Sequence, residues 1–522
     1  MRRVDGLDDG GIGHMRVRDD QTAVGGGRSG LRRRRTVTAL AGLALTAGLL
    51  AGCSSSDGDD GAGGGAGGGG ARGRTDAGTG GGAARKGPAY EGPALPGLAR
   101  QAAWSLPVEG PMSVPVVLDL GDTLLFAKDA RGAYLSDETP DVEDGPAQSL
   151  YGSDTPEDLV LEFRDVKTGT VRKELRVKTD SVTLTTWHEG RAAVAVTTST
   201  TTASDGLTKA STSTTATLYD SAGRPLGKAE LPEQRTQEEE DASDSGPVTG
   251  RSFLAQGHLV ETSGDTLRLT PVDGGTARTV PCEGFESGCG FVPSTATVLA
   301  AGGNHLFAPL ITDGYYPGFD STGLSPRVGL YDLADGKKVW DSAKVTPPKG
   351  VWVREDDGKT GELSVLRVSD GKVLTSWHLN PWARTRVLAT YDLAGGPEAL
   401  SSFKGDEDPV FSPRGDLAAV FTDDVASVVR VADGKELWAQ GEDEHALVPL
   451  WFSGDGTVLY GRTLEAETLL AVDARTKKVL AKDLSDRLVP RFNASTGYGW
   501  VGAYNAGPGG KVNGFFVFPP AS

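Results

Sequence analysis

The chain has 522 residues, of which 24% are charged, 38% are hydrophobic and 74 are glycine. Its formal net charge is −17, and the first 52 residues (nine Arg, five Asp) contribute +4, so the remainder carries −21. A surface this acidic repels phosphate backbones and excludes nucleic acid as an expected partner, whereas it favours cations, basic proteins or cationic polymers.

The N-terminal segment has the pattern of an export signal. Four arginines, 32–35, precede a mostly apolar and uncharged stretch, 36–50, which is followed by Ala51, Gly52 and Cys53. Since a helix needs roughly 20 apolar residues to cross a bilayer, this pattern predicts a cleaved secretory signal over residues 1–52. The last four residues of the pattern resemble the bacterial lipobox. That resemblance implies a diacylglycerol-modified Cys53 and a lipid anchor on the extracytoplasmic face of the cell membrane.

Three alternatives stay open for this segment. A plain signal peptide that ends beside a cysteine would leave Cys53 without lipid. The arginine run fits export by either Sec or Tat, and the acidic, glycine-rich residues 1–30 are consistent with a true start downstream of Met1.

Residues 53–98 are predicted to be a disordered tether. Between residues 58 and 82, 14 of 25 residues are glycine, and such a stretch cannot bury enough apolar area to offset its backbone entropy. About 40 residues of this kind reach roughly 35 Å as a random coil. The folded domain is therefore expected over residues 99–522, with the lipid as its contact with the membrane.

A short hairpin pattern recurs through the folded part. Its clearest copies are EFRDVKTGTVRKEL, YDLADGKKVW and RVADGKELW, which end at Leu175, Trp340 and Trp438. Alternating apolar residues, a turn with Asp and Gly, and a second alternating run predict strand, tight turn and strand. A second pattern, at residues 411–416 and 452–457, joins two earlier strands through an F-S-x-x-G turn.

Four antiparallel strands that recur roughly every 35–60 residues predict an all-β propeller, because one such sheet cannot bury both of its faces alone. The absence of amphipathic helices argues against Rossmann and TIM-barrel folds. The predicted strand sets are 115–176, 181–231, 251–281, 297–342, 350–403, 409–440, 447–484 and 488–518.

The last set has three strands, and residues 102–106 are predicted to supply the fourth, which would tie the two chain ends together. This sum predicts eight blades. Seven remains open, because residues 350–403 hold two turn motifs that are too close together for two blades.

The hairpin copies resemble the repeats of PQQ-like, or quinoprotein-type, β-propellers such as the BamB lipoprotein. The turn at 411–416, FSPRGD, is similar to those of TolB- and WD40-type propellers. The resemblance spans roughly residues 102–518 and implies the fold, with a binding scaffold as the expected function. Quinoprotein dehydrogenases use an adjacent cysteine pair and calcium ligands that have no match here, so no cofactor is predicted.

Four long insertions, at 136–158, 198–212, 232–250 and 312–327, are expected on one face of the ring, where insertions often mark a binding surface. In the last of them three exposed aromatic residues are candidates for stacking on a sugar or a partner protein. They are Tyr315, Tyr316 and Phe319. The alternatives are loop drift for the insertions and core packing for the aromatic residues.

Two acidic loops on the same face are candidates for contact with a basic partner or with Ca²⁺, although ordinary solvated surface is the alternative and no calcium-loop spacing is matched. Their residues are Asp406, Glu407, Asp408, Glu442, Asp443 and Glu444.

Cys282 and Cys289 are predicted to form a disulfide in an oxidising compartment, with free thiols or a metal pair as the alternatives. His188, His258 and His305 lie at or just before the second strand of their sets, and ring geometry is expected to scatter them, so no metal site is predicted. No nucleophile–base motif is found, and no catalytic residue is predicted.

The expected function is a non-catalytic, monomeric scaffold that binds a protein or a cell-envelope polymer. The alternatives are an enzyme (a lyase, glycosidase or quinone-type dehydrogenase) with a site in the central funnel, and a ligand sensor for a membrane partner.

Overall fold

Strands make up nearly all of the regular structure, and the helical elements of the described residues are two 3-10 turns, His188–Gly190 and Ser342–Lys344. The computed structural model describes residues 87–108, 114–137, 149–203, 211–232, 252–263, 266–281, 305–310, 327–332, 337–351, 363–369, 371–379, 385–406, 409–441, 443–464, 468–485, 488, 490–503 and 514–521.

The strands are numbered in chain order. The first ten are β1 (Trp104–Pro107), β2 (Val114–Pro115), β3 (Leu118–Asp119), β4 (Thr123–Lys128), β5 (Ser136–Asp137), β6 (Ser149–Asp165), β7 (Val171–Trp187), β8 (Arg191–Thr202), β9 (Ser211–Tyr219) and β10 (Pro225–Leu231). The next eleven are β11 (Ser252–Ala255), β12 (His258–Ser263), β13 (Thr266–Pro271), β14 (Arg278–Pro281), β15 (His305–Leu310), β16 (Arg327–Asp332), β17 (Lys338–Asp341), β18 (Leu363–Ser369), β19 (Lys372–His378), β20 (Arg386–Asp392) and β21 (Ser401–Gly405). The last eleven are β22 (Val410–Phe411), β23 (Leu417–Thr422), β24 (Val425–Arg430), β25 (Lys435–Ala439), β26 (Leu447–Phe452), β27 (Val458–Thr463), β28 (Leu469–Asp473), β29 (Val479–Leu484), β30 (Arg491–Phe492), β31 (Gly499–Ala503) and β32 (Gly514–Phe518).

Antiparallel pairing of consecutive strands builds four four-stranded sheets, β11–β14, β18–β21, β22–β25 and β26–β29, each from one predicted strand set. Strands β15–β17 form a three-stranded sheet. The first strand predicted for that set falls at residues 297–304, outside the described residues, so the number of blades stays a prediction.

The two predicted sets at 115–176 and 181–231 form one seven-stranded sheet, in the order β10-β9-β8-β7-β6-β4-β3. Strand β7 belongs to both sets: its first half pairs with β6, and its second half, from Ser181, pairs with β8. The first half is largely exposed and the second largely buried. This change is expected if the first half of β7 is the outer strand of the first set and the second half is the inner strand of the next set.

The N-terminal strand closes the last sheet, as predicted. β1 pairs with β32 in the order β1-β32-β31-β30, with Trp104 opposite Val517 and Leu106 opposite Phe515. The indole Nε1 of Trp104 also donates to the Val166 carbonyl of the first set at 2.8 Å. Strand β1 thus belongs to the final sheet, whereas the Trp104 side chain forms a hydrogen bond with the first set.

Side-chain contacts join each sheet to the next one along the chain, and between β11–β14 and β15–β17 the contact is an apolar cluster that contains Leu269 and Leu330. The hydrogen bonds are Thr185 Oγ1 to Leu254 O at 2.9 Å, Ser401 Oγ to Val431 O at 2.8 Å and Trp438 Nε1 to Ala474 O at 3.0 Å. The ring contacts are Trp340–Tyr391 at 6.4 Å, Tyr460–Phe492 at 5.7 Å and Phe126–Phe515 at 5.3 Å between centroids. The last pair joins the final sheet to the first, so the sheets close into a ring, and the fold is an all-β propeller.

Packed structure begins before residue 99, the predicted start of the domain. Leu95 and Leu98 are buried with Phe516 and Phe518 of β32, and the Tyr90 ring meets both phenylalanine rings edge-on. We call residues 87–98 the strap. The predicted boundary fell later because glycine and proline dominate the composition here, whereas three scattered apolar side chains provide the burial.

The insertion predicted at 198–212 is partly strand. β8 continues to Thr202 and β9 begins at Ser211, with pairing out to Thr202↔Ser211. Threonine is β-branched and favours the extended backbone, which explains why this run continues the sheet. β6 likewise begins at Ser149, inside the insertion predicted at 136–158.

Candidate binding recess

The turn predicted at residues 411–416 closes through a buried serine. Ser412 Oγ accepts a hydrogen bond from the Leu417 amide at 3.0 Å. The turn predicted at 452–457 is built in the same way, with Ser453 Oγ accepting from the first amide of β27 at 2.9 Å. In both turns a short side chain accepts a hydrogen bond from a backbone amide. This stabilises the turn, because a buried amide without a hydrogen-bond partner raises the free energy of the folded state.

A third turn of this kind, at residues 493–498, was not identified from the sequence. The amides and hydroxyls of Ser495 and Thr496 donate to Asn493 Oδ1 over 2.7–3.1 Å. The sequence contains a partial signal for this turn, since a phenylalanine, Phe492, precedes Asn493 just as Phe411 precedes Ser412 and Phe452 precedes Ser453. The turn has one more residue before its glycine, which hides the similarity.

The Asn493 side chain also clasps the first sheet. Its Nδ2 donates to Asp119 Oδ1 at 2.5 Å and to the Gly121 carbonyl. Burial raises the pKa of Asp119 to about 6, against the opposing effect of hydrogen bonds from the Gly121 amide and from Asn493. The seam where the ring closes therefore contains a carboxyl group that titrates near neutrality.

A recess of about 730 Å³ opens beside this clasp. Four turns supply its walls, at residues 119–122, 187–192, 220–226 and 493–495. In an antiparallel sheet the first–second and third–fourth turns lie at the same end. The recess therefore lies on the rim that carries the short turns, which we call the turn rim.

Two carboxylates of the recess are held by arginine. Asp122 pairs with Arg172 at 2.6 Å, and Asp220 pairs with Arg224 at 2.7 Å. Burial pushes the pKa of Asp122 upward, but the hydrogen bonds and charge of Arg172 outweigh it and hold that pKa below its usual value. The arginine partners fix the positions of both carboxylates, which suits recognition of a polar ligand.

Arg191 presents the other sign of charge to the recess. Its Nε donates to the His188 carbonyl at 3.2 Å, and the side chain is exposed. The recess also has hydroxyls, from Ser221 and Ser495, and an edge of the buried Trp187. The recess therefore offers a ligand charged groups, hydroxyls and apolar surface together.

His188 and His258 lie together, so the expectation that the ring scatters the turn histidines is wrong for this pair. Their ring centroids are 5.9 Å apart across the seam between β7–β10 and β11–β14. Burial lowers the pKa of His258, and the nearby His188 lowers it further. Equivalent turns of neighbouring sheets are adjacent, which explains the pairing. Within the described ranges no group of three or more His, Cys, Asp or Glu side chains is placed to hold a metal ion.

The acidic loops are anchored to the framework. Asp406 Oδ2 accepts from the Phe421 amide at 3.1 Å, and Glu444 pairs with Lys477 at 2.8 Å. The hydrogen bond from Lys477 lowers the pKa of Glu444. Asp443 is exposed. Glu407, Asp408 and Glu442 lie outside the described residues, so the structure does not test these loops as a binding surface.

The remaining predicted site residues also fall outside the described ranges. They are Tyr315, Tyr316, Phe319, Cys53, Cys282 and Cys289. Within the part of the chain that the structure describes, no helix has the length and hydropathy needed to span a membrane.

No protein-family model matches the chain, and no curated protein matches it. Among solved structures it is similar to three β-propellers. The C-terminal WD40 domain of Sif2 is 11% identical, with a TM-score of 0.37, over 79% of this chain and 99% of that one. The β-propeller domain of Cps50 (Swd1) from Myceliophteria thermophila is 12% identical, with a TM-score of 0.31, over 71% and 98%. The Dos1 propeller is 12% identical, with a TM-score of 0.33, over 80% and 96%.

Proposed function

We propose that this chain is a lipid-anchored, extracytoplasmic β-propeller that binds a protein or a cell-envelope polymer and catalyses no reaction. The observation that carries the proposal is the recess on the turn rim. It is bounded by four turns whose amides donate to polar side chains: Gly121 to Asp119, Gly190 to the buried Gln256, Ala222 to Asp220 and Ser495 to the buried Asn493. A preformed site of this kind binds without a large ordering cost.

The chemistry of the recess supports recognition over catalysis. Asp122 and Asp220 each have an arginine partner, and Asp119 accepts two hydrogen bonds at the closing seam. A general base or a nucleophile needs a group within reach of the substrate and free to exchange a proton. Here the carboxylates organise the walls of the site, and the ligand is expected to contact the exposed Arg191 and the hydroxyl groups.

The sequence supports the location and the type of partner. The arginine run, the apolar stretch and Cys53 together have the pattern of a lipoprotein signal. The net charge of −21 beyond residue 52 favours a partner with basic groups, and long-range attraction would speed its capture. A monomer tethered by one lipid can present the turn rim to such a partner.

The recess can be tested by capture from envelope extract. We expect the double variant Arg191→Ala/Ser221→Trp to retain about tenfold less partner than the wild type, a loss of about 1.4 kcal/mol, because it removes a hydrogen-bond donor and fills the cavity. The matched control is Arg131→Ala, which changes an exposed arginine in a turn that the recess does not include.

A chain lacking residues 312–327 tests the rival surface. Loss of capture in that deletion, with full capture by the double variant, would place the contact on the insertion face and reject the recess. Turnover of an envelope polymer by the purified wild type would reject the non-catalytic assignment.

A further inference from the structure

The hairpin at the ends of β8 and β9 projects beyond the strands on either side of it. β7 pairs with β8 as far as Thr197, and β10 pairs with β9 as far as Thr214. Residues 200–202 and 211–213 continue as a two-stranded ribbon, with pairs Thr200↔Ser213 and Thr202↔Ser211. We call these six residues the hydroxyl ribbon, since every one is Ser or Thr.

The two faces of this hairpin treat their hydroxyls differently. On one face the hydroxyls bond in pairs across the strands, Ser199 with Thr214 at 3.1 Å and Thr201 with Thr212 at 3.2 Å. The alternation of a strand places the neighbouring residues on the other face. That face carries Thr200, Thr202, Ser211 and Ser213, which are exposed and whose hydroxyls have no hydrogen-bond partner among the described residues.

Among the described residues of the ribbon itself, no side chain gives the usual protection of an exposed strand edge. Free edges invite pairing with another chain, and proteins commonly block them with lysine, proline or a covering loop. None of the six residues is charged and none is proline. A bulky, hydrated group attached to the free hydroxyls would block the edges and keep the ribbon soluble.

We propose that the hydroxyl ribbon is a site of O-glycosylation, with Thr200, Thr202, Ser211 and Ser213 as the acceptors. The donor is a sugar carried on a polyprenyl phosphate or a nucleoside diphosphate. The side-chain oxygen forms a bond to the anomeric carbon of the sugar as the bond from that carbon to the carrier phosphate breaks. The phosphate leaves with the electron pair, and a base of the transferase takes the hydroxyl proton.

This modification does not depend on what the recess binds, although a lipid-linked donor requires the export that the proposed function includes. The four acceptors are exposed. The bonded face is expected to react far less, because its hydroxyls are engaged with each other and Ser199, Thr212 and Thr214 are half-buried.

Peptide mass mapping with electron-transfer fragmentation, on the full chain purified from the membranes of the producing cells, tests this. We expect one or more sugar masses on the four acceptors. The variant Thr200→Val/Thr202→Val/Ser211→Ala/Ser213→Ala should lose them, whereas Thr201→Val/Thr212→Val, which changes the bonded face, should keep them.

An unmodified ribbon in the wild type overturns the proposal, as does sugar on the bonded face alone. If the fourfold variant fails to accumulate, the wild-type map decides by itself. The N-terminal peptide is read in the same experiment: lipid on Cys53 beside an unmodified ribbon overturns the glycosylation and leaves the anchor in place, whereas the loss of both rejects export as well.

Discussion

At the scale of single residues, Asn493 joins the last sheet of the ring to the first. Its oxygen organises its own turn, and its nitrogen donates to Asp119 and Gly121. Ser412 and Ser453 occupy equivalent turns, but a hydroxyl has one proton to donate. The amide supplies two donors as well as an acceptor, which is why this residue type can serve both the turn and the seam.

The clasp predicts a specific pH dependence of stability. The folded pKa of Asp119, about 6, lies above its usual value of 3.8. Its contribution to stability is therefore fully present below about pH 4 and is lost as the pH rises through 6, by at most about 3 kcal/mol. We expect Asp119→Asn, which keeps an acceptor for Asn493, to remove that part of the decline. Urea unfolding midpoints between pH 4 and 7 measure it.

Asp416→Asn is the control, because Asp416 lies in an equivalent turn with its side chain half exposed. It should leave the pH profile unchanged. Parallel profiles for the wild type and Asp119→Asn would show that the carboxyl group at the seam is not the one that titrates.

At the scale of elements, β7 is a member of two strand sets at once. It runs over 17 residues and pairs with β6 and then with β8. Near its middle the hydroxyl of the fully buried Thr179 lies within hydrogen-bond distance of two carbonyls, 2.8 Å from that of Ser181 and 2.6 Å from that of Thr197, and its single proton serves one of them at a time. Because no loop separates the two halves, a break in β7 reaches both sets.

We expect Thr179→Pro to destabilise the first two strand sets together, by roughly 3 kcal/mol or more, since proline removes a ladder donor and the threonine hydroxyl. Hydrogen exchange should show lost protection in β4 and β8 alike. Lys482→Pro is the control: residue 482 lies at an exposed irregularity of β29, where the ladder has no pair. Loss confined to one set in Thr179→Pro would mean that the halves fold independently.

At the scale of the whole molecule, both chain ends meet at the final sheet. The strap packs on β32, the Tyr460 hydroxyl donates to the Pro96 carbonyl at 2.5 Å, and the Ala521 amide donates to the Gly97 carbonyl at 3.1 Å. The N-terminal part of the described chain therefore contacts the final sheet twice, through the strap and then through β1.

The strap predicts where the chain can be shortened. A chain that begins at Gly87 should unfold like the full chain. One that begins at Ala99 exposes the groove under Tyr90, Leu95 and Leu98, at a cost of up to about 5 kcal/mol, and should melt several degrees lower. Calorimetry of the two truncations measures the difference. Equal melting temperatures would show that the strap contributes nothing to stability.

The sequence predicted the sheets because their determinants are local. Alternating apolar residues, the Asp that caps a hairpin turn, as Asp473 does for the amides of Arg475 and Thr476, and the F-S-x-x-G turns all act within a few neighbours. The N-terminal closing strand could also be inferred, because the last set lacked one member. The recess could not be inferred, since its walls come from residues as far apart as Asp119 and Asn493.

The amino-acid sequence by itself determined the all-β class, the recurring hairpins and the turns at 411–416 and 452–457, because these follow from side-chain period and backbone preference over short distances. Tertiary structure alone decided that β7 serves two sets, that the strap packs on β32, that His188 meets His258 and that a recess forms on the turn rim. Those features arise when the ring closes and brings distant turns together, and burial then changes the pKa of groups such as Asp119.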